Sequence, residues 1–112
     1  MAVIAFAMPV LPGRSERVAG FGKELEPLRD EFEQLNRRAT ISRQLMFLQR
    51  TPMGDVIVNV WEIDDPTKVD REFTDSAYDR WFVDFSKDVV GLDPRGPSDL
   101  ELPELIFSWS AS

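Results

Sequence analysis

DVIVNVWEID, residues 55–64, is the stretch that decides the fold. β-branched and aromatic residues dominate it, which is typical of a strand. The preceding stretch TISRQLMFLQR, residues 40–50, has the same character, and TPMG at 51–54 favours a turn between the two. We therefore predict a β-hairpin with a loop of about four residues, in which Arg50 lies opposite Asp55.

This register assigns every hairpin side chain to a face of the sheet, because opposed residues point the same way. One face carries Arg43, Leu45, Phe47 and Gln49 against Glu62, Val60, Val58 and Val56. The other face carries Ser42, Gln44, Met46 and Leu48 against Ile63, Trp61, Asn59 and Ile57. Both faces are largely apolar, and the sheet therefore needs a cover on each side.

The rest of the chain supplies two helical regions and two further strands. Residues 2–9 and ELIFSWS at 104–110 favour strands, and residues 66–90 favour one helix or two. A helix is also predicted from Ser15, with Pro27 expected to kink or divide it. Its apolar stripe has helical spacing: Val18, Phe21, Leu25, Leu28, Phe32 and Leu35. The order is that of a ferredoxin-like βαββαβ α+β fold with a four-stranded antiparallel sheet, in a single domain over residues 1–112.

Composition excludes several classes of function. The net charge of −7 disfavours nucleic-acid and anionic-membrane partners. The chain has no cysteine and no histidine, which excludes disulfides, thiolate metal sites, catalytic triads and histidine-ligated zinc or haem. The apolar start MAVIAFAMPVLPG is interpreted as a strand and not as a signal peptide, because no basic residue precedes it. We expect no metal, no cofactor, no membrane span and a cytoplasmic location.

Two helices can cover only one face of this sheet. The other face is then an exposed apolar patch, and such patches usually mark an interface. We therefore predict a homodimer whose sheets pack face to face. The smoother face, with Leu45, Phe47 and the three valines of 56–60, is the better dimer surface, with Arg43 and Glu62 opposite each other at its rim.

The second face gathers the candidate site residues beneath the helices. Two amides and an indole, Gln44, Asn59 and Trp61, lie there, and Tyr78 and Trp81 on the second helix can reach the same space. Apolar surroundings with a few polar groups are typical of small-molecule pockets. Alternatively, the two amides bond each other or Trp61 and brace the core. Asp79 and Arg80 are predicted to lie on a solvated helix face.

Three segments carry a family resemblance: MPVLPGRSERV at 8–18, TPMGDVIVNVWEID at 51–64 and SAYDRWF at 76–82. With the order of elements, they resemble the dimeric α+β barrel superfamily, which includes antibiotic-biosynthesis monooxygenase-like proteins and many uncharacterised bacterial families. The chain looks most like one of the uncharacterised groups. The resemblance implies a dimer whose two sheets form a barrel, with a cavity in each protomer. Some relatives oxidise aromatic polyketides without metal or flavin, and others isomerise lactones or bind haem; the lack of histidine disfavours haem binding and histidine bases here.

The resulting functional hypothesis is a small-molecule-binding homodimer. It would act as a cofactor-independent monooxygenase or isomerase/cyclase on a hydrophobic, aromatic or polyketide-like substrate. Asn59 and Gln44 would orient the substrate oxygen, Tyr78 would donate a hydrogen bond, and Trp61 and Trp81 would stack on rings. The alternative is a non-catalytic ligand-binding or structural homodimer. The sequence determines neither the substrate nor the reaction.

Overall fold

The computed structural model describes residues 2–69, 71–96 and 103–111. Three strands and four α-helices form in this part of the chain, and two short 3₁₀ turns, Glu26–Leu28 and Pro66–Lys68, join them. The strands are β1 (Ala2–Pro9), β2 (Ile41–Gln49) and β3 (Val56–Ile63). The helices are α1 (Ser15–Ala19), α2 (Phe21–Leu25), α3 (Arg29–Arg38) and α4 (Ala77–Val89). None of the described helices is long and apolar enough to cross a membrane.

The sheet has the order β1-β3-β2, and both pairings are antiparallel. The predicted hairpin register is confirmed from Arg43 to Gln49: Gln44 lies opposite Trp61, and Met46 lies opposite Asn59. It is wrong at the start of β2, where a register shift next to Ser42 places Ile41, and not Ser42, opposite Ile63. A bulge of this kind adds one unpaired residue to a strand, and the apolar Ile41 takes the buried side.

The first helical region is divided at the residues that least favour a helix, Gly20 and Pro27. α1 ends at Gly20, and the 3₁₀ turn that contains Pro27 separates α2 from α3. Proline has no backbone N–H to donate and its ring crowds the preceding turn, so a continuous helix is disfavoured there. The expected effect of Pro27 is confirmed, and the break lets the short helices follow the twisted sheet.

The second helical region, predicted as one helix or two over residues 66–90, forms the 3₁₀ turn Pro66–Lys68 and then α4, which begins after Ser76. The Ser76 hydroxyl accepts a hydrogen bond from the Asp79 backbone N–H at 3.1 Å, which caps α4. The other end is attached to the sheet by a hydrogen bond of 2.8 Å from the Leu11 N–H to the Val89 carbonyl. α4 therefore runs from the end of β3 towards its start. Buried Val18, Ile57, Phe85 and Val89 form the core at that far end.

The face of the sheet that points away from the helices is open. Val3 and Phe47 keep 66% and 53% of their surface exposed there. Along β1 the burial alternates, with Ile4 and Phe6 turned towards the helices and Val3 and Ala5 turned outwards. The predicted two-sided apolar sheet is thus present, and one of its sides is uncovered in the single chain.

The predicted fourth strand is wrong for the described part of the chain. Residues 103–111 form no strand, and the sheet has three strands. Four large side chains of this segment are exposed by 77–88%: Leu105, Ile106, Phe107 and Trp109. β-propensity expresses fit to a pleated, half-buried surface, so strand-forming residues do not by themselves make a strand of a segment that is unpaired and exposed.

Candidate functional site

A cavity of about 310 Å³ lies between the inner face of the sheet and the helices. This volume is at the lower end of the range of about 300 to 1,000 Å³ that is usual for small-molecule sites. Apolar side chains make up most of its wall, and a few polar groups interrupt them. The polar and ionisable members of the lining are Asn36, Gln44, Asn59, Trp61, Arg71, Tyr78 and Ser86.

Asn59 lies at the centre of the inner face, because β3 is the middle strand. Phe6 of β1 and Met46 of β2 are its neighbours on either side. The residue is only 5% exposed, and no hydrogen bond joins its side chain to another group of the described chain. No described side-chain nitrogen or oxygen is both fully sealed from solvent and without a partner. The Asn59 amide therefore faces the cavity space.

Gln44 has a partner that the sequence did not suggest. Its Nε2 donates to Oδ1 of Asn36 on α3 at 2.7 Å. The two amides of the internal-brace alternative, Gln44 and Asn59, are not bonded to each other among the described contacts. Gln44 and Asn36 instead join the β2 edge to α3, beside the cavity.

Tyr78 stands in the first turn of α4 and is 6% exposed. Its ring stacks on Phe82 at a centroid distance of 5.9 Å and tilts against Phe32 at 6.0 Å. Burial raises the pKa of Tyr78 to about 12. At neutral pH the phenol is therefore a hydrogen-bond donor, and within the described chain no hydrogen bond from its hydroxyl is recorded.

The two candidate tryptophans have different positions. Trp61 lines the cavity, and its ring meets Phe6 edge to face at 5.1 Å. Trp81 lies outside the lining: its Nε1 donates to Glu24 at 3.0 Å, and its ring packs against Phe85 at 5.6 Å. The structure thus gathers four of the five candidate residues, Gln44, Asn59, Trp61 and Tyr78, around one cavity and leaves Trp81 in the core beside it. A role in ligand binding stays a prediction for all five.

The prediction of a solvated Asp79 is wrong. This carboxylate is 2% exposed and accepts hydrogen bonds from Arg71 at 2.7 and 3.1 Å and from the Thr74 N–H at 2.7 Å. Burial opposes its charge, but these bonds outweigh burial and lower the pKa of Asp79 below its usual value. The spacing of Ser76 and Asp79 is that of a helix-capping pair, whose acid turns back towards the preceding chain, and this signal could have predicted the burial.

The polar groups of the cavity are concentrated at one end. Gln44, Trp61 and Asn36 lie where β3 finishes, and Tyr78, in the first turn of α4, lies at the same end. The opposite end, where β3 begins, is apolar except for Ser86 of α4. Its wall is formed by Met8, Ile57, Phe85, Val89 and Val90.

The chemistry of the polar end is that of hydrogen-bond donation. The Asn59 amide, the Trp61 indole and the Tyr78 phenol each offer an N–H or O–H. The described lining contains no carboxylate and no imidazole, and the raised pKa of Tyr78 keeps its phenol protonated at neutral pH. This arrangement can bind a carbonyl, phenolic or anionic oxygen and stabilise negative charge that develops on it.

No family model and no curated protein matches the sequence. Among solved structures, the chain is similar to the crystal structure of L-rhamnose mutarotase FA22100 from Formosa agariphila. The two are 15% identical with a TM-score of 0.67, and the match covers 98% of this chain and 100% of that chain. At this identity the similarity establishes the fold alone. It supports the ferredoxin-like α+β arrangement, whereas the resemblance to antibiotic-biosynthesis monooxygenases stays a prediction.

Proposed function

We propose that this protein binds a hydrophobic small molecule with an aromatic or polyketide-like ring system in the cavity between sheet and helices. The observation that carries the proposal is Asn59, a buried amide that faces an apolar cavity with no partner among the described residues. A buried amide without a hydrogen bond costs about 1 to 3 kcal/mol, and a ligand oxygen that bonds the Asn59 amide relieves this cost.

The reaction that fits this site is isomerisation of the bound molecule without a cofactor. Hydrogen-bond donors that converge on a substrate oxygen stabilise the enolate or phenolate form, and that form is the intermediate of many carbonyl isomerisations. The cavity offers no carboxylate or imidazole base among its described residues, so the acidic C–H of the substrate gives its proton to water or hydroxide from solvent, and reprotonation at another carbon completes the isomerisation. The similarity in fold to a mutarotase supports an isomerase more than the alternative cofactor-independent monooxygenase.

A two-ring ketone with acidic hydrogens, 2-tetralone, is a suitable probe. Binding is measured by quenching of tryptophan fluorescence, and enolate formation is measured by NMR as uptake of solvent deuterium next to the carbonyl. We expect saturable binding and accelerated uptake with the wild type, and loss of both in Asn59→Leu. Binding of L-rhamnose is measured in the same way to test for a sugar isomerase. Oxygen consumption is measured to test for an oxygenase.

Trp61→Phe and Trp81→Phe form a matched pair of controls, because only Trp61 lines the cavity. The first change should remove most of the quenching and weaken binding, and the second should leave affinity unchanged. Binding without deuterium uptake or oxygen consumption would favour the non-catalytic ligand-binding alternative. Equal affinity in the wild type and Asn59→Leu would contradict the proposed site.

The assembly that we propose is a homodimer through the open face of the sheet. The exposed side chains of Val3 and Phe47 on that face support it. Phe47→Asp should shift the dimer to monomer in analytical ultracentrifugation. The control is Met53→Asp, because Met53 is 97% exposed in the hairpin turn, away from this face. A monomeric wild type at micromolar concentration would refute the assembly.

A further inference from the structure

Arg71 is the one charged residue among the described lining of the cavity. It precedes α4 and is absent from the candidate residues that sequence patterns suggest. Its guanidinium carbon lies 4.2 Å from the centre of the Phe73 ring, which also lines the cavity. Stacking on an aromatic ring fixes the plane of a guanidinium group and leaves its edges free for hydrogen bonds.

The partner of Arg71 lies on the other side of it. Asp79 contributes to the wall of a neighbouring cleft and not to the described wall of the cavity, whereas Arg71 contributes to both. Arg71 therefore lies between the cavity and the Asp79 carboxylate. A guanidinium has five N–H donors, and bonds to Asp79 and to the Glu72 carbonyl use three of them among the described contacts.

Arg71 stands at the polar end of the cavity. Its charge acts on the hydroxyl of Tyr78, and the Gln44–Asn36 pair closes the same end. The other end is lined mainly by apolar side chains such as Val89 and Ile57, with Ser86 as a polar member. A ligand that matches both ends has an acidic oxygen function at one end and a hydrocarbon ring system at the other.

We propose that the cavity selects anionic aromatic molecules, carboxylates or ionised phenols, and that Arg71 is the residue that binds the anionic oxygen. This inference rests on the proposed function and specifies its ligand class. For the ionised phenols it also explains how a site without a described base can act on its substrate, because the phenolate arrives with its proton already lost to solvent. The N–H groups of Arg71 that have no partner among the described contacts then donate hydrogen bonds to the negatively charged oxygen, as does the Tyr78 hydroxyl.

The test compares two probes of equal shape, 2-naphthoate and neutral 2-naphthalenemethanol, by isothermal titration calorimetry at pH 7. We expect the wild type to bind the acid about tenfold more tightly or better, as for a hydrogen bond to a charged group. Arg71→Lys keeps the charge but not the planar fork, and should retain part of the preference.

Removal of Arg71 alone leaves the Asp79 carboxylate buried without its cation, and this variant risks failing to fold. The double variant Arg71→Met with Asp79→Asn removes both charges and keeps an apolar stem in place. We expect it to bind the two probes equally. Arg29→Met is the matched control, because it removes the same charge from an exposed position on α3 outside the cavity lining, and it should keep the full preference.

Each alternative result has a distinct meaning. A wild type that binds the neutral probe as tightly as the acid overturns the role of Arg71 and leaves the proposed cavity intact. A preference that persists in the double variant also overturns it, because another group must then bind the anion. If neither probe binds, the proposed function fails as well.

Discussion

Asn59→Leu separates the two explanations of the buried amide, because they predict opposite changes in stability. Leucine is close to asparagine in size and prefers the apolar neighbours that β1 and β2 supply, Phe6 and Met46. If the role of the Asn59 amide is to bond a ligand, the amide is unpaired in the ligand-free protein, and this lowers the free energy of unfolding by about 1 to 3 kcal/mol. Replacing it should then stabilise the free protein.

The expected size of the effect is modest, because the cavity lets water reach the Asn59 amide. We take the lower part of the range, about 1 to 2 kcal/mol. For a chain of 112 residues, 1 kcal/mol corresponds to roughly 4 °C in the melting temperature. Asn59→Leu should therefore melt about 4 to 8 °C above the wild type and bind 2-tetralone more weakly.

The assay is guanidinium unfolding followed by tryptophan fluorescence, at one protein concentration, since association would also shift the midpoint. Gln44→Met is the matched control. It also removes an amide from the lining, but it leaves Oδ1 of Asn36 without the 2.7 Å hydrogen bond that Gln44 donates. We therefore expect no increase in stability from Gln44→Met. Destabilisation of Asn59→Leu by 1 kcal/mol or more would show that the amide braces the fold, and would refute the ligand interpretation.

Four further predictions concern the burial and pairing of single residues. The pKa of Tyr78 is raised to about 12 by burial, so the stability that it contributes is complete below its unfolded pKa of about 10 and is lost as the pH rises through 12. Since the chain has one tyrosine, a tyrosinate absorbance titration reports it directly, and a midpoint near 10 in the folded protein would contradict its burial. Arg71→Met should destabilise the protein by about 3 kcal/mol in urea unfolding, at the lower end for a buried pair because Arg71 keeps 28% exposure, and added Asp79→Asn should restore most of the loss. In the wild type the pKa of Asp79 is lowered, so the stability that this carboxylate contributes is present above about pH 4 and is lost as the pH falls through that lowered pKa. If the double variant loses stability at acid pH as steeply as the wild type does, this prediction is wrong. Ser76→Ala should cost about 1 kcal/mol by removing the cap of α4, and a neutral result in thermal unfolding would show that the cap is dispensable.

The cavity and the open face have a common origin in the strong apolar character of β3. Its valines point outwards and its isoleucines, with Asn59 and Trp61, point towards the helices. The short helices on either side of Gly20 and Pro27 cannot fill the space that one long helix would fill. A broken helix over a two-sided sheet thus leaves room for a ligand on one side and for a partner on the other.

Local sequence determined the hairpin register, the two faces of the sheet, the division at Pro27 and the cap at Ser76. Each of these depends on residues close together in the chain, and their periodicity is visible without knowing what packs on them. This is why Gln44, Asn59, Trp61 and Tyr78 were found before the structure was known.

Only the tertiary structure decided which polar groups are paired. Asn36 reaches Gln44 because α3 crosses the β2 edge, and Asp79 is buried because the chain before α4 folds back and brings Arg71 to it. The strand pattern at 104–110 likewise could not decide whether this segment pairs with an edge of the sheet, and in the described fold it does not. Side-chain direction is a local property, whereas burial and pairing depend on which distant segments meet, and that choice belongs to the whole fold.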